Sequence, residues 1–433
     1  MKNWKALILI LILVLSATFA GCGKETAENP EESVPSVEKL TLLNTKIEVA
    51  SQMDELAAKY EQETGIKIEI INVDPSADKQ ATLKGYYLSD QMPDIIACEA
   101  SSFANWDGLL VDLSDQNWAS RTDAAYKDAT YGTVGFPYTT EAIGLAYNAE
   151  ILSACGVDPA SITNPESMKA AFEAIDAKKD ELGIKAVLGY SSEPENLGWS
   201  AGNHVFGTYL DSGLDRADTT YIDLLNDGGK FDDQRLAAFA DMIELFNQYS
   251  DPDLLVTGSY DDQVLGFASG KYAFVTQGSW IGAILVGNDA SAYQAAGSFK
   301  VGMVPYAFQS GMETILTSAP SWWAIPKEGQ VEAAKAFLQW CSEDTAQQIL
   351  VEKAGFISPF KDCKYVASDP FAAVISEYLA AGKTSSWHWM DMPESLGQKG
   401  FSFAFNKFAS GELDKDGFIK ELKNIATQWY SKL

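Results

Sequence analysis

Histidine and cysteine are scarce in this sequence, which narrows the chemistry that the chain can carry. Two histidines and five cysteines occur in 433 residues. No two cysteines have the Cys-x-x-Cys spacing and no cysteine–histidine cluster is typical of zinc, so a metal site is not expected. Cys98, Cys155, Cys341 and Cys363 are too scattered for a disulfide scaffold and are expected to be small buried residues. A disulfide between Cys341 and Cys363 stays open.

Motifs of several enzyme classes are also missing. The chain has no glycine-rich phosphate loop, no Gly-x-Ser-x-Gly elbow and no His-Glu-x-x-His motif, so neither an enzyme nor a cofactor is expected. Basic residues are few, because 32 Lys and Arg stand against 60 Asp and Glu, and the net charge is −28. A field of that sign repels nucleic acid and anionic lipid headgroups but leaves neutral and cationic ligands open.

Long hydrophobic runs are limited to one stretch at the N-terminus. Residues 6-ALILILILVLSA-17 follow two lysines and are shorter than the roughly 20 residues that span a bilayer, which is typical of a signal peptide. The next residues, 19-FAGCGK-24, resemble a lipobox, although Phe19 stands where leucine is usual. This resemblance implies a signal peptide over 1–21 and a lipid on Cys22. The protein would then be anchored at the extracellular face of the cell membrane, or in the periplasm if the organism has an outer membrane; an ordinary secretory signal is the alternative.

A polar segment separates this anchor from the rest of the chain. Residues 22–37 are rich in Glu, Pro and Ser and contain almost no large apolar side chain. Such a segment buries too little surface to offset its chain entropy, so a flexible tether is predicted. The roughly 395 residues that follow are enough for two domains with sizeable cores.

Strand and helix patterns alternate after the tether, which predicts an α/β fold with mostly parallel sheets. Short apolar runs predict strands at 39–45, 66–73, 93–100 and 184–191. Apolar residues at helical spacing predict helices at 47–65, 232–249, 331–355 and 412–433. Gly65 and Gly355 are expected to end two of these helices, and Asp232 or Asp233 is expected to cap a third.

Four motifs occur in order along this part of the chain. They are 92-MPDIIACEASSFANWDGLLVDL-113, 132-GTVGFPYTTEAIGLAYNAEIL-152, 267-FASGKYAFVTQGSW-280, and 323-WAIPKEG-329 with a helix that ends at 355-GFISP-359. Together with the lipobox and tether, they resemble the extracellular solute-binding proteins of ABC importers, of the family-1 type that includes the maltose-binding protein. The resemblance covers essentially the whole chain after the tether.

This resemblance implies a periplasmic-binding-protein-like type II fold, in which two α/β lobes surround a ligand cleft and hinge segments cross between them. Open α/β sheets bind ligands at the carboxyl ends of their strands, so two facing sheet edges would form the cleft. The crossings are expected near Glu141, near Val304–Pro305 and near Gly355–Pro359. Lobe one is expected to comprise 38–141 and 305–355, and lobe two 142–304 and 356–433.

Several candidate ligand contacts follow from the same resemblance. Glu141 matches the acidic residue of the family's first crossing, where a carboxylate would accept hydrogen bonds from sugar hydroxyls. Trp280 ends the third motif, and its indole would stack on a sugar face. Trp199 and Asn203 fall where the family often supplies contacts from lobe two, and Tyr138 lies close to the first crossing. Core packing and solvent exposure are the alternatives for these residues.

Position along the predicted strands supplies further candidates. Asn44 follows the first strand and Glu99 ends the third, so both are expected at the ligand-binding edge. Trp322 and Trp323 are neighbours on a strand and point to opposite faces, so at most one of them faces the cleft. Trp322 is favoured.

The stretch 385-SSWHWMDMP-393 places Trp387 and Trp389 on either side of a histidine. Alternation would put both indoles on one side of an extended segment. One histidine without further ligands binds zinc poorly, so the choice lies between core packing and a platform for a flat ligand. The platform is favoured, with Trp387 or Trp389 stacked on the ligand and Asp391 supplying a carboxylate.

These features favour a non-enzymatic, monomeric receptor that binds a carbohydrate, expected to be an oligosaccharide. Lobe closure would deliver it to the permease subunits of an ABC importer. Aromatic residues form 12% of the sequence, with 11 tryptophans, and suit the faces of sugars. A cationic solute such as a polyamine or quaternary amine is the alternative, because aromatic cages with carboxylates bind such ligands. Two further hypotheses are a lipid-anchored glycoside hydrolase that uses Glu99 and Glu141, and an adhesin of the same fold.

Overall fold

The computed structural model describes residues 37–74 and 77–432. The predicted signal peptide at 1–21, Cys22 and nearly all of the predicted tether therefore lie outside the described residues. Within the described ranges, no helix is both long enough and apolar enough to cross a membrane.

The strands are short, and the four strands predicted from the sequence are present with narrower bounds. The strands are β1 (Lys39–Asn44), β2 (Lys67–Asn72), β3 (Ile96–Cys98), β4 (Tyr126–Asp128), β5 (Gly132–Pro137), β6 (Glu141–Ile143), β7 (Leu145–Asn148), β8 (Ala186–Gly189), β9 (Tyr272–Val275), β10 (Val301–Val304), β11 (Ile315–Ser318), β12 (Trp322–Ala324) and β13 (Thr384–Ser385).

Helices fill most of the remaining chain. The α-helices are α1 (Ala50–Thr64), α2 (Lys79–Leu88), α3 (Ala149–Cys155), α4 (Pro165–Asp176), α5 (Lys179–Leu182), α6 (Phe206–Asp211), α7 (Thr220–Asn226), α8 (Asp233–Tyr249), α9 (Pro252–Leu255), α10 (Tyr260–Ala268), α11 (Ile281–Val286), α12 (Ala290–Ala295), α13 (Val331–Cys341), α14 (Asp344–Gln348), α15 (Ala372–Ala380), α16 (Ser402–Ala409) and α17 (Lys415–Tyr430). Among the described residues, three π-helical segments span Ser200–Val205, Ile349–Lys353 and Gly397–Phe401.

Short 3-10 turns also occur, and several helix boundaries confirm the sequence signals. The 3-10 turns are Ile47–Val49, Ala100–Trp106, Asn117–Ser120, Pro159–Ser161 and His388–Asp391. Gly65 ends α1 with φ 78°, a conformation that glycine adopts without steric penalty. Asp232 caps α8 by accepting a hydrogen bond from the backbone N–H of Arg235 at 2.7 Å. The helix predicted over 331–355 is α13, α14 and a π segment in succession, and Gly355 follows with φ 74°.

The first lobe contains two sheets. Strands β1 and β2 pair in parallel through α1, which buries Met53, Leu56 and Tyr60. A four-stranded sheet has the order β3-β12-β5-β4, and a bridge between Leu42 and Ile95 connects it to β1.

The second lobe is built on a four-stranded sheet of order β10-β7-β9-β8. Helices α4 and α8 pack against β8. Their aromatic side chains form part of the core, since the ring centroid of Phe172 lies 5.3 Å from Phe274 and 6.1 Å from Phe246.

A three-stranded sheet of order β13-β11-β6 joins the two lobes. Strand β6 lies along the chain between β5 of the first lobe and β7 of the second, and β11 lies between β10 and β12. Glu141 of β6 is paired with Ser318 of β11, and Thr140 forms an antiparallel bridge with Ile357. Because the chain reaches a first-lobe sheet again only at β12, we propose residues 315–321 as the second crossing in place of Val304–Pro305. The other lobe boundaries stay predictions.

The prediction of mostly parallel sheets is wrong. Parallel pairing is found for β1 with β2, β8 with β9, and β11 with β13, whereas the other strand pairs are antiparallel. Parallel neighbours require a crossover connection, and two βα units in the sequence indicated that arrangement. Strands β7 and β12 instead enter their sheets after the chain has passed between the lobes, and both pair only with antiparallel neighbours in those sheets.

Candidate functional site

The two lobes enclose a cleft with a volume of about 1110 Å³. We call its lining residues within 45–48, 74–80, 97–102 and 320–321 the first-lobe wall. We call those within 193–204, 256–261 and 387–406, together with Trp280, the second-lobe wall. Glu141, in the connecting sheet, also lines the cleft.

The first-lobe wall is built where strands end. Residues 45–48 follow β1, Glu99 follows β3, and 77–80 include the start of α2. Asp78 caps α2 by accepting a hydrogen bond from the backbone N–H of Ala81 at 2.9 Å. The carboxyl ends of β1 and β3 therefore meet at one cleft. The sequence analysis placed Glu99 there because open α/β sheets bind ligands at the carboxyl ends of their strands.

Paired charges hold this wall. The ammonium of Lys46 contacts the carboxylate of Glu141 and lies 3.2 Å from Glu48 Oε1. Burial lowers the pKa of Lys46, but the two carboxylates outweigh burial and raise it. Lys79 Nζ lies 2.7 Å from Glu99 Oε1. The carboxylates at 99 and 141 are therefore fixed in position by lysines that the sequence analysis did not single out.

The second-lobe wall is aromatic, and His204 lies at its centre. The imidazole centroid is 5.2 Å from Trp199, 4.8 Å from Trp280, 6.0 Å from Trp387 and 5.1 Å from Trp389. The ring of Tyr260 extends this cluster and lies 5.6 Å from Trp199. The wall therefore offers several aromatic faces next to one another.

Glycines allow the helical segments behind this wall to approach closely. A Cβ added to Gly202 would lie 2.0 Å from the carbonyl oxygen of Gly397, so the π segments at 200–205 and 397–401 touch through their backbones. A Cβ at Gly207 would lie 2.8 Å from Trp389 Cδ1. π-helical turns occur often at functional sites, and here one of them carries Asn203 and His204 into the cleft.

Trp280 is held by a chain of side-chain amides. Its Nε1 donates to Gln277 Oε1 at 3.0 Å, and Gln277 Nε2 donates to Gln263 Oε1 at 2.8 Å and to Ser200 Oγ at 3.1 Å. Gln263 in turn donates to the carbonyl of Gly189 at 2.8 Å. This network fixes the indole before any ligand enters, which favours preorganised binding.

His204 is a site residue that sequence reasoning missed. It was weighed only as a metal ligand, although it lies next to Asn203 in a segment already predicted to supply contacts. Burial, with smaller effects of Lys79 and Lys46, lowers the pKa of His204 to about 3, so the imidazole is neutral at pH 7. Its Nδ1 and the indole nitrogens of Trp387 and Trp389 have no hydrogen-bond partner among the described residues.

Seven of the eleven predicted contact residues line the cleft. They are Glu99, Glu141, Trp199, Asn203, Trp280, Trp387 and Trp389. Their contact with a ligand stays a prediction, but the structure brings them together.

Four predicted contact residues lie elsewhere. The amide of Asn44 is buried and donates to Asn72 Oδ1 at 2.9 Å and to the carbonyl of Lys46 at 3.0 Å. Tyr138 is buried, donates or accepts a hydrogen bond with Ser321 and stacks on Trp323 at 4.7 Å. Both are therefore structural residues of the first lobe, and we leave them out of the candidate site.

The other two are Trp322 and Asp391. Trp322 is 6% exposed, donates from Nε1 to the carbonyl of Ala124 at 2.6 Å and packs against Tyr126 at 5.3 Å. Its neighbour Trp323 is also in the core, so neither tryptophan of β12 lines the cleft. Asp391 is exposed outside the cleft lining, and its carbonyl accepts a hydrogen bond from Asn226.

The stretch 385–393 reaches the cleft by a different geometry from the one predicted. It is not extended, because His388–Asp391 forms a 3-10 turn. Both tryptophans still line the cleft, and their ring centroids lie 5.9 Å apart. Trp387 is 3% exposed and Trp389 is 6% exposed, so they combine core packing with a narrow exposed edge.

The walls also contact each other. Lys399 Nζ lies 2.9 Å from Asp78 Oδ2, and Asn105 Nδ2 donates to Glu394 Oε2 at 3.2 Å. These contacts join the start of α2 and the turn 100–106 to the segment that follows Trp389.

None of the four cysteines in the described part of the chain lines the cleft. Cys98, Cys155, Cys341 and Cys363 are free thiols, which answers the question of a Cys341–Cys363 disulfide. In the part of the chain that the structure describes, no cluster of three or more His, Cys, Asp or Glu side chains is arranged to hold a metal ion.

Comparison with known proteins gives one family and several relatives. Residues 55–374 match the family described as bacterial extracellular solute-binding protein. Two maltooligosaccharide ABC transporter solute-binding lipoproteins of Streptococcus pneumoniae are each 24% identical, over 363 and 371 residues. Each alignment covers 81% of this chain and 79% of the relative.

Solved structures share the fold. A chitin oligosaccharide binding protein superposes with a TM-score of 0.72 at 16% identity, covering 91% of this chain and 99% of the other. A Bacillus licheniformis sugar transporter protein in complex with stachyose gives 0.70 at 18% identity, with coverage of 91% and 99%. RafE in complex with raffinose gives 0.69 at 19% identity, with coverage of 90% and 99%. The two-lobed type II fold is therefore confirmed.

Proposed function

Because the chain belongs to the bacterial extracellular solute-binding protein family, we propose that it captures an oligosaccharide in its cleft and delivers it to an ABC importer. Closure of the lobes requires that the ligand bind the closed state more tightly than the open state. The two relatives named as maltooligosaccharide-binding lipoproteins, and structures solved with stachyose and raffinose, support a sugar as the ligand class.

The observation that carries this proposal is the composition of the two walls. Trp199 and Trp280 on the second-lobe wall are partly exposed and offer apolar ring faces, with narrow edges of Trp387 and Trp389 beside them, and carboxylates and hydroxyls on both walls offer hydrogen-bond partners. A sugar ring has C–H groups on its faces and hydroxyls at its rim, so a cleft that combines aromatic rings with carboxylates and hydroxyls matches both kinds of sugar surface. The cleft volume suits a ligand larger than one ring.

A cationic solute remains the second candidate, since nine carboxylates line the cleft. Three lysines line it as well, and each contacts at least one of these carboxylates: Lys46 with Glu48 and Glu141, Lys79 with Glu99, and Lys399 with Asp78. Four of the nine carboxylates are thus ion-paired with these lysines, and an ion-paired carboxylate attracts an ammonium group less, so at these four positions a neutral sugar is favoured.

The same pairs bear on the hydrolase hypothesis. Glu99 and Glu141 both contact lysines, and the family and the relatives named above are binding proteins. We therefore propose a receptor without enzymatic activity.

We further propose a monomer that is attached through a lipid on Cys22 to the extracellular face of the membrane, where it meets the permease subunits. If the organism has an outer membrane, the location is the periplasm. An adhesin of the same fold is distinguished by deletion of this protein, which would then leave solute uptake unchanged.

The test is thermal unfolding of residues 38–433 with maltooligosaccharides, raffinose, stachyose and chitooligosaccharides, and with polyamines and betaine as the cationic arm. A ligand at about 100 times its dissociation constant adds about 2.7 kcal/mol of stability. We expect stabilisation by one glycan class and none by the amines. Stabilisation by amines alone would replace the sugar by a cation, and no stabilisation in a folded sample would overturn solute capture.

A further inference from the structure

A carboxylate–imidazole pair lies behind the tryptophans of the second-lobe wall. Asp211 is 1% exposed and accepts two hydrogen bonds from one residue. The backbone N–H of His388 donates to Asp211 Oδ2 at 2.9 Å, and its ring Nδ1 lies 2.5 Å from Oδ1. Neither residue lines the cleft, so a ligand in the cleft does not touch the pair.

The pair fastens the 3-10 turn at 388–391 to the helical run that carries the centre of the aromatic cluster. Asp211 ends α6, which continues directly from the π segment that holds His204. Between them Gly207 makes room for Trp389, whose Cδ1 would be 2.8 Å from an added Cβ. The residues at 204, 207 and 211 are spaced by three and four, so they follow one face of this run.

We propose that Asp211 and His388 are positioning residues, which hold Trp387 and Trp389 in the second-lobe wall and make glycan affinity depend on pH. The affinity part of this inference rests on the proposed function. His388 stands between the two tryptophans in the chain, so any shift of its backbone moves both indoles. Two hydrogen bonds to one buried carboxylate leave that backbone little freedom.

Charged groups from several elements surround the pair. Within the described chain, they are Arg216 and Asp218 after α6, Asp223 of α7, Arg235 of α8, and Asp391 of the turn itself. Burial lowers the pKa of His388, but the hydrogen bond and the charge of Asp211, aided by Asp391, outweigh burial and Arg216. The pKa of His388 therefore lies above its usual value of 6.5.

The direction of the pH effect follows from the raised pKa of His388. Below the pKa of His388 the imidazolium and the carboxylate form a charge-assisted hydrogen bond, which is stronger than a neutral one. As the pH rises through that pKa, the ring loses its charge and the negative charge of Asp211 is left less well compensated. The turn is then held less tightly, so glycan affinity should fall by about three- to tenfold between about pH 6 and about pH 9.

The first arm of the test needs no ligand. The chain has two histidines, so an NMR titration of the imidazole resonances follows His388 beside His204 alone. We expect His388 to titrate above 6.5, and below 6.5 in Asp211→Asn, where burial is no longer outweighed by the carboxylate. The indole N–H resonances of Trp387 and Trp389, assigned with Trp→Phe variants, should shift with the same midpoint. Titration of His388 at or below 6.5, or indoles that do not follow it, would overturn the inference.

The second arm measures affinity for the glycan that stabilises the protein most. His388→Ala removes the ring donor and should weaken binding about tenfold at about pH 6. His388→Asn keeps a side-chain N–H donor near the Nδ1 position but cannot titrate, so it should bind better than His388→Ala and show a flat pH profile. Equal binding by the two variants, or an unchanged pH profile, would contradict the positioning role. If no glycan binds, the receptor proposal fails, whereas the unliganded arm still decides this inference.

Discussion

The two walls of the cleft differ in what they present and in how they are held. Among the described lining residues of the first-lobe wall, none is aromatic, while the second-lobe wall carries four tryptophans, a tyrosine and a histidine. The first wall is fixed by ion pairs at strand ends, and the second by ring packing against glycine-containing helical segments. Stacking surfaces thus come from the second-lobe wall, whereas hydrogen-bond partners come from both walls, so a ligand contacts the first-lobe carboxylates and the aromatic rings together only when the lobes approach each other.

The charge pair at the base of the first wall should give the largest effect when it is broken. In Lys46→Met the carboxylates of Glu48 and Glu141 lose their cation in a site where the side chains of Lys46 and Glu141 are 12% and 9% exposed. Leaving a buried charge uncompensated should lower the free energy of unfolding by about 3 kcal/mol, measured by urea denaturation.

Lys39→Met is the matched control for this prediction. Lys39 Nζ lies 2.6 Å from Glu69 Oε2, but both side chains are about half exposed. An exposed pair contributes less than about 1 kcal/mol, so the control should be nearly neutral. If both variants were equally stable, charge pairing would not be what holds the first wall.

The second-largest effect is expected when one tryptophan ring of the second-lobe wall is removed. This change should lower ligand affinity more than it lowers the free energy of unfolding. Trp199→Ala deletes a partly exposed indole of the second wall and should weaken glycan binding by about 30-fold, or about 2 kcal/mol, in isothermal calorimetry. Trp199→Phe should recover part of the loss, because a smaller ring still stacks.

Trp340→Ala is the control for that substitution. Trp340 packs on Tyr60 at a centroid distance of 5.0 Å, away from the cleft, so its removal should leave affinity unchanged. An affinity for Trp199→Ala within twofold of the unsubstituted protein would mean that the aromatic wall is core alone.

The contact between the walls should give the smallest effect. Lys399 and Asp78 pair at 2.9 Å, but their side chains are 54% and 46% exposed. Lys399→Met should therefore weaken binding by no more than about fivefold, and the difference should shrink at high salt because exposed pairs are screened. Lys423→Met, which breaks a pair with Asp233 on α8, should leave affinity unchanged. A salt-independent loss in Lys399→Met would point to direct ligand contact by this lysine.

Sequence patterns placed some residues of the candidate site at the cleft and missed others, and the physical cause differs from residue to residue. Glu99 was placed correctly because the carboxyl end of a strand is a position that the sequence reveals. The same rule failed for Asn44, since its amide is turned into hydrogen bonds with Asn72 and Lys46. His204 gave no separate signal, because three of the four tryptophan rings around it lie far away in the chain.

The family resemblance implied the two lobes and their cleft, whereas the residues by themselves determined the alternation of strands and helices, the scarcity of metal ligands and the abundance of tryptophan. These properties are local, because periodicity, caps and composition act between residues close in the chain. Only the tertiary structure decided that Trp322 and Tyr138 belong to the core, that Lys46 and Lys79 neutralise the predicted carboxylates, and that Asp211 holds His388. Each of these outcomes depends on burial and on partners far along the chain, which no local pattern records.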